Sequence, residues 1–158
     1  PPASHPLTLW PGDADERPTV RSYPPCQEAF VLNHPDFGKL LLRLTLGTLI
    51  LLHGLHKLLH GVGGVKALLM MHNLPDWLAY GVYVGEVVAP LMLIVGYYSR
   101  AAAAIIAGNM LVAVVLAHMA ELTRLTAQGG WALELQGMFL FSALALMLLG
   151  PGKYVLKN

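Results

Sequence analysis

Leu40-Leu-Leu-Arg43-Leu-Thr-Leu-Gly47-Thr-Leu-Ile50-Leu-Leu-His53-Gly-Leu-His56-Lys57-Leu-Leu-His60 decides the reading of this chain. Its first thirteen residues are almost wholly apolar, and the run then closes on three histidines and a lysine. Positions 53, 56, 57 and 60 follow the spacing that puts residues on one face of a helix. A run of this length and apolarity predicts a membrane-embedded helix. Ionisable groups near the bilayer centre cost roughly 2.5–3.5 kcal/mol each on insertion scales, less toward the surface. A lone histidine there is commonly a packed, hydrogen-bonded bystander. Four such groups on one stripe point instead to a polar cavity, a partner, or both.

The composition agrees. Of 158 residues, 56% are apolar and 12% charged, against about 25% charged in a typical soluble domain. A net charge of +1 argues against a nucleic-acid partner, which calls for a basic face. Cys26 is the single cysteine, so disulfide frameworks, CxxC redox pairs and cysteine-based metal sites are excluded. Redox chemistry, if present, has to come from a cofactor or a partner.

Residues 1–36 read as a proline-rich extramembrane arm. Eight of the eleven prolines fall there, beside Asp13, Asp15, Glu16, Arg17 and Arg21. Such a segment buries too little apolar surface to order itself, so it is expected to be held by the domain surface or by another subunit, through Trp10, Tyr23 and Phe30. A second subunit or a second copy of the chain is thus an expected partner, beside the bilayer itself. The polar start is not expected to be a signal peptide. Since it opens on Pro1 rather than Met, it is expected to be processed, tagged or incomplete.

The rest, 37–152, predicts an all-α, polytopic membrane protein: an antiparallel bundle of four transmembrane helices at about 39–60, 77–97, 100–120 and 131–149. A basic tail, 153–158, follows. Lys39 and Arg43 are expected to snorkel to the near surface. Gly61-Val-Gly-Gly64 breaks the first helix, and 65–74 reads as a short interfacial or capping helix with Val65, Leu68, Leu69 and His72 on one side, ended by Pro75. Trp77 and Tyr80 at one end of span two, with Tyr97 and Tyr98 at the other, fit an interfacial aromatic belt. The alanines and Gly108 of span three permit close helix approach, and Asn109 is expected to hydrogen-bond between helices. Counting Lys and Arg near the span ends gives Lys39, Arg43, Arg100, Lys153 and Lys157 on one side, and Lys57, Lys66 and Arg124 on the other. That bias predicts both termini in the cytoplasm of a bacterial inner membrane.

With this topology every span sends ionisable groups into the same, extracytoplasmic half. His53, His56, Lys57 and His60 close span one. Glu86 lies about 13 Å into span two from that side. His118 and Glu121 close span three, and Glu134 lies just inside span four. Three readings compete. One is a self-satisfied ion-pair network that fixes helix order. A second is a site for a quinone headgroup or small anion, with a histidine donating to a carbonyl and Glu86 relaying protons. The third, less favoured, is a metal held by His53, His56, Glu86 and His118. No HExxH or ExxH pattern supports that third reading.

Leu41-Leu-Arg-Leu-Thr-Leu-Gly47, His53-Gly-Leu-His-Lys57, Gly85-Glu86, Gly96-Tyr-Tyr-Ser-Arg100, Trp131 and Leu149-Gly-Pro-Gly-Lys153 follow in an order and spacing that resembles the DoxX family of small bacterial four-helix membrane proteins. The resemblance runs from about Leu40 to Leu156. Arg43, His53, Lys57 and Glu86 match the family pattern. That family takes its name from a subunit associated with terminal oxidase and thiosulfate:quinone oxidoreductase, and other members are linked to thiol and oxidative-stress redox complexes. The resemblance therefore implies a membrane subunit near quinone-linked redox chemistry, without implying a catalytic activity of its own. Two departures stand out. The family often has a Glu directly after the span-four Trp, whereas here the carboxylate comes three later, at Glu134. The proline-rich arm is also outside the common pattern.

The expectation is a redox-complex subunit whose polar cavity binds a quinone or a small sulfur-containing substrate. Glu86 and His53 would be the reacting pair, with His56, Lys57, His118 and Glu134 completing the site. Lys57 would balance charge, and Glu86, Glu134 and His118 would move protons. The alternative is a non-enzymatic scaffold or assembly factor whose polar cluster is structural. A transporter is weaker, because no inverted repeat is visible.

Overall fold

The computed structural model describes residues 34–157. The arm's expected anchors, Trp10, Tyr23 and Phe30, lie outside the described residues. The first helix, α1, is Pro35–His60. Proline is tolerated at its start because no helical carbonyl awaits that N–H, and Asp36 sits in the first turn, where the helix dipole favours an anion. Twenty-six residues span about 39 Å, more than the hydrocarbon core of a bilayer. Gly61 ends the helix at φ +83.

Helix α2, Gly63–Met71, packs Leu69 with Val62 and Ala79, against Val65, Val82, Tyr83 and Leu116. It caps the bundle, while Met70 and Met71 face outward. Lys66 fastens this cap to the next helix: its ammonium donates to the Tyr80 hydroxyl at 3.0 Å and lies 4.7 Å from the ring centroid. That hydrogen bond, with the nearby Asp76 carboxylate, holds Lys66 above its ordinary value.

The third helix, α3, runs Asp76–Val95 and is not uniform. It opens as a tight 3₁₀ turn, Asp76–Tyr80, and widens to a π turn at Val84–Val88 before continuing as Ala89–Val95. The sequence explains the widening. Pro90 has no N–H to give the carbonyl of Glu86 four residues back, so the ladder is already open there. Gly54 of α1 fills the space beside that carbonyl; a Cβ at Gly54 would collide with the Glu86 oxygen.

Helix α4, Ser99–Ala117, and helix α5, Glu134–Leu149, form the most extensive pairing in the bundle. Ala102, Ala103 and Ala107 of α4, with Ala143 of α5, are small enough to let the helices close. Helices α1, α3 and α4 are long and apolar enough to cross a membrane. At 16 residues, α5 is shorter: Trp131–Leu133, read from sequence as the start of the fourth span, lie in the turn before it.

The four long helices run antiparallel around one core, built from Leu46 and Ile50, Ala89 and Leu93, Ile106 and Met110, and Phe139 and Leu146. Outward faces are apolar too, as Leu52, Leu59, Val88, Leu111, Val115, Phe141 and Leu148 show. A helix that is apolar all round belongs in lipid, and this chain is a membrane protein.

One end of the bundle is tied by the C-terminal tail, and here Arg43 departs from expectation. It does not snorkel outward. Its side chain is 2% exposed and donates to the carbonyls of Pro151 at 3.2 Å and Tyr154 at 2.5 Å. The tail folds back beneath α1 and supplies acceptors that no reading of α1 alone can supply. Gly96 lets it pass: its φ is +80, and a Cβ there would press on Val155 and the Arg43 guanidinium. Backbone bonds from Lys157 to Gly96 and from Tyr98 to Lys157 complete the clasp.

Candidate functional site

The opposite end holds the polar cluster. Lys57, one turn before the end of α1, reaches Glu86 on the π turn of α3, with Nζ 2.5 Å from Oε1. The Glu86 carboxylate is almost fully buried, at 6% exposure, while the Lys57 side chain keeps 30%. Asn109 of α4 approaches the same Oε1 at 3.4 Å through its amide, a long and weak contact, and so acts between helices as the sequence suggested. The Tyr83 hydroxyl donates to the Lys57 carbonyl at 3.2 Å, fixing the end of α1 against α3. Gly85 makes room for this arrangement: a Cβ there would meet the Asn109 side chain at 2.5 Å. The other carboxylate oxygen, Glu86 Oε2, is buried with no hydrogen-bond partner.

Two cavities meet at this ion pair. The smaller, about 200 Å³, lies between α1, α4 and α5 and is bordered by His53, Lys57, Glu86, His118, Gln136 and Phe139, among others. The larger, about 530 Å³, is an apolar cleft under α2, walled by Leu68, Leu69, Val82, Val112 and Leu116 among others. Lys57, Glu86, Ala113 and His118 border both. The larger volume falls within the range of about 300–1,000 Å³ usual for small-molecule sites.

Both cavity histidines are oriented by their Nδ1. His53 bonds the Leu49 carbonyl at 2.9 Å, and its ring meets Phe139 edge-on, with centroids 5.8 Å apart. His118 Nδ1 lies 3.0 Å from Glu121 Oε2, and Gln136 Nε2 approaches the other ring nitrogen at 3.5 Å. Glu121 keeps 40% of its side chain exposed, so this pair connects the cavity with the outside.

Of the residues singled out in the sequence, the structure brings together His53, Lys57, Glu86 and His118. His56 and His60 stack on each other with centroids 4.2 Å apart and border neither cavity. Glu134 also borders neither. Its Oε1 accepts the Trp131 backbone N–H at 3.0 Å, so it fastens the turn that leads into α5. Trp131 donates its indole N–H to Leu122 at 2.8 Å and lies across Gly137, which closes the turn between α4 and α5. Among the described residues, no group of three His, Cys, Asp or Glu side chains is placed to hold a metal ion. Sequence reasoning missed Gln136 and Ala113 as cavity residues. Pro90, four residues after Glu86, was the available signal for the opened helix.

Comparison with known proteins gives a family match. The family model described as DoxX covers residues 38–119, just over half of the chain, from the first turns of α1 to the turn that follows α4. No curated protein and no solved structure matches.

Proposed function

The chain belongs to the DoxX family, and from that premise we propose that it is the membrane subunit of a quinone-linked redox assembly. Its paired cavities would receive one amphipathic redox molecule. The observation that carries this reading is the meeting of the two cavities at a buried carboxylate with an unused oxygen. A polar head fits beside His53, Lys57, Glu86 and His118, and an apolar tail fits the cleft under α2. An ion-pair network alone would leave no reason for a 530 Å³ apolar cleft ending at Lys57, Glu86 and His118.

A bound quinone supplies two-electron chemistry coupled to protons. The residues of this chain hold and move those protons. Lys57 pairs with Glu86 through Oε1. Glu86 Oε2 offers the acceptor inside, and His118 can take a proton on Nε2 while its Nδ1 proton passes to Glu121, toward the exterior. The charge bias of the helix ends supports a mouth on the extracytoplasmic side of an inner membrane, with both termini cytoplasmic.

The test is retention of a benzoquinone with a ten-carbon tail by the full chain in detergent, presented in oxidised and in reduced form. The reading expects saturable retention of at least one form. It also expects loss of that retention, by tenfold or more, in Ala113→Phe, which fills the wall common to both cavities. No retention of either form by the unaltered protein would overturn it and favour the scaffold reading.

A further inference from the structure

Helix α2 roofs the larger cleft: Val65, Leu68 and Leu69 form one wall of it, with Val82, Val112 and Leu116 on the bundle side. Its attachment is slight. Val62, Leu69 and Ala79 make a small core of their own, separate from the core shared by the four long helices. A helix of nine residues with glycine at its first two positions is weak by itself. The joint to α1 carries Gly61 at φ +83, and at Gly61, Gly63 and Gly64 an added Cβ would meet nothing within 4 Å. At the other end Asn73 turns the chain at φ +56, and the Leu74 N–H bonds back to the Leu69 carbonyl at 2.9 Å, which closes α2 into a self-contained piece. A side-chain contact latches that piece to α3: the Lys66 ammonium on the Tyr80 hydroxyl at 3.0 Å, with Asp76 3.9 Å away. Neither Lys66 nor Tyr80 borders the cleft.

We infer that α2 is a hinged lid on the larger cleft, latched by Lys66 on Tyr80 and swinging on the glycine joint to exchange the occupant. The identity of that occupant rests on the reading just given; the movement of the lid rests on its packing. A segment held by few buried apolar contacts opens locally at a free energy well below that of the whole fold. Opening parts Val62 and Leu69 from Ala79 and leaves the four-helix core intact. Closed, the lid covers the cleft that ends at Lys57 and Glu86. Because the latch lies outside the cleft walls, removing it changes how often the lid opens without changing what the occupant touches.

The first arm needs no ligand. In full-length Cys26→Ser protein in detergent, a thiol is placed inside the cleft by Leu116→Cys or on the outer face of α2 by Met71→Cys, each with and without Lys66→Met. Labelling by N-ethylmaleimide at position 116 should quicken about threefold or more when Lys66 is replaced, with helix content unchanged and labelling at position 71 unaltered. An unchanged rate at 116, or an equal rise at 71, would overturn the lid. The second arm follows the ten-carbon-tailed benzoquinone on the unaltered chain and on Lys66→Met. Association and dissociation should quicken together, with affinity held within about twofold. Weaker retention at an unchanged association rate would make Lys66 a binding residue and overturn the latch. Retention of no probe by the unaltered chain would remove the proposed occupant, and the labelling rates alone would then decide the lid.

Discussion

Lys57 Nζ on α1 stands 2.5 Å from Glu86 Oε1 on α3, at the one place where α3 widens into a π turn. The contact joins the helix that ends the long apolar run to the helix opened by Pro90. Removing one partner leaves the other charge uncompensated in a poorly solvated site. Lys57→Met should therefore destabilise the folded bundle by about 2–4 kcal/mol, while Lys57→Met with Glu86→Leu should recover most of that loss. Unfolding in mixed micelles, run as a double-mutant cycle, measures both.

Two glycines set the distance across which that pair forms. Gly54→Ala would drive a methyl group into the Glu86 carbonyl, and Gly85→Ala would meet Asn109. Each should cost about 1–3 kcal/mol by overpacking and weaken probe retention. Gly108 has nothing within 4 Å of its added Cβ. Gly108→Ala should be neutral or stabilising by up to about 1 kcal/mol, since alanine is the better helix former. Thermal unfolding of the three variants in one detergent checks the contrast.

Arg43 holds the C-terminal tail through the carbonyls of Pro151 and Tyr154. Hydrogen bonds to a charged group contribute about 1.5–3 kcal/mol each. Lysine cannot reproduce the two-point geometry of the guanidinium. Arg43→Lys should release the tail, and hydrogen exchange at the Tyr98 and Lys157 amides should accelerate at least tenfold. Exchange elsewhere in α4 should change little.

Glu134 holds the turn before α5. Because its carboxylate accepts from the Trp131 backbone, Glu134→Ala should lower stability by about 0.5–1.5 kcal/mol. Probe retention should stay within about twofold of the unaltered protein, a change below about 0.4 kcal/mol. A large loss of binding in a well-folded Glu134→Ala would return this residue to the cavity.

Much of this was legible in the sequence because it is local. The apolar runs set the helices, Gly61 and Pro75 bounded the capping helix, and the depth of Glu86 put it in the same half of the bundle as Lys57. What was not legible depends on distant chain. Arg43 reads as a snorkelling residue until the tail, more than a hundred residues later, returns to cover it. The histidine stripe predicted a common face but not its depth. His53 and Lys57 reach the cavity, whereas His56 and His60 stack on each other outside it. For Glu134, position near a helix start did not show that its carboxylate turns to the Trp131 backbone. The proline that opens α3 was visible, but its consequence needed Gly54 packed against the freed carbonyl.

The most direct measurement is native mass spectrometry of the protein extracted gently from its own membrane, beside the Lys57→Met, Glu86→Leu double variant. The account predicts an extra mass of quinone size on the unaltered chain, absent from the double variant although that variant stays folded. Protein and bulk-lipid masses alone, identical in the two samples, would contradict it.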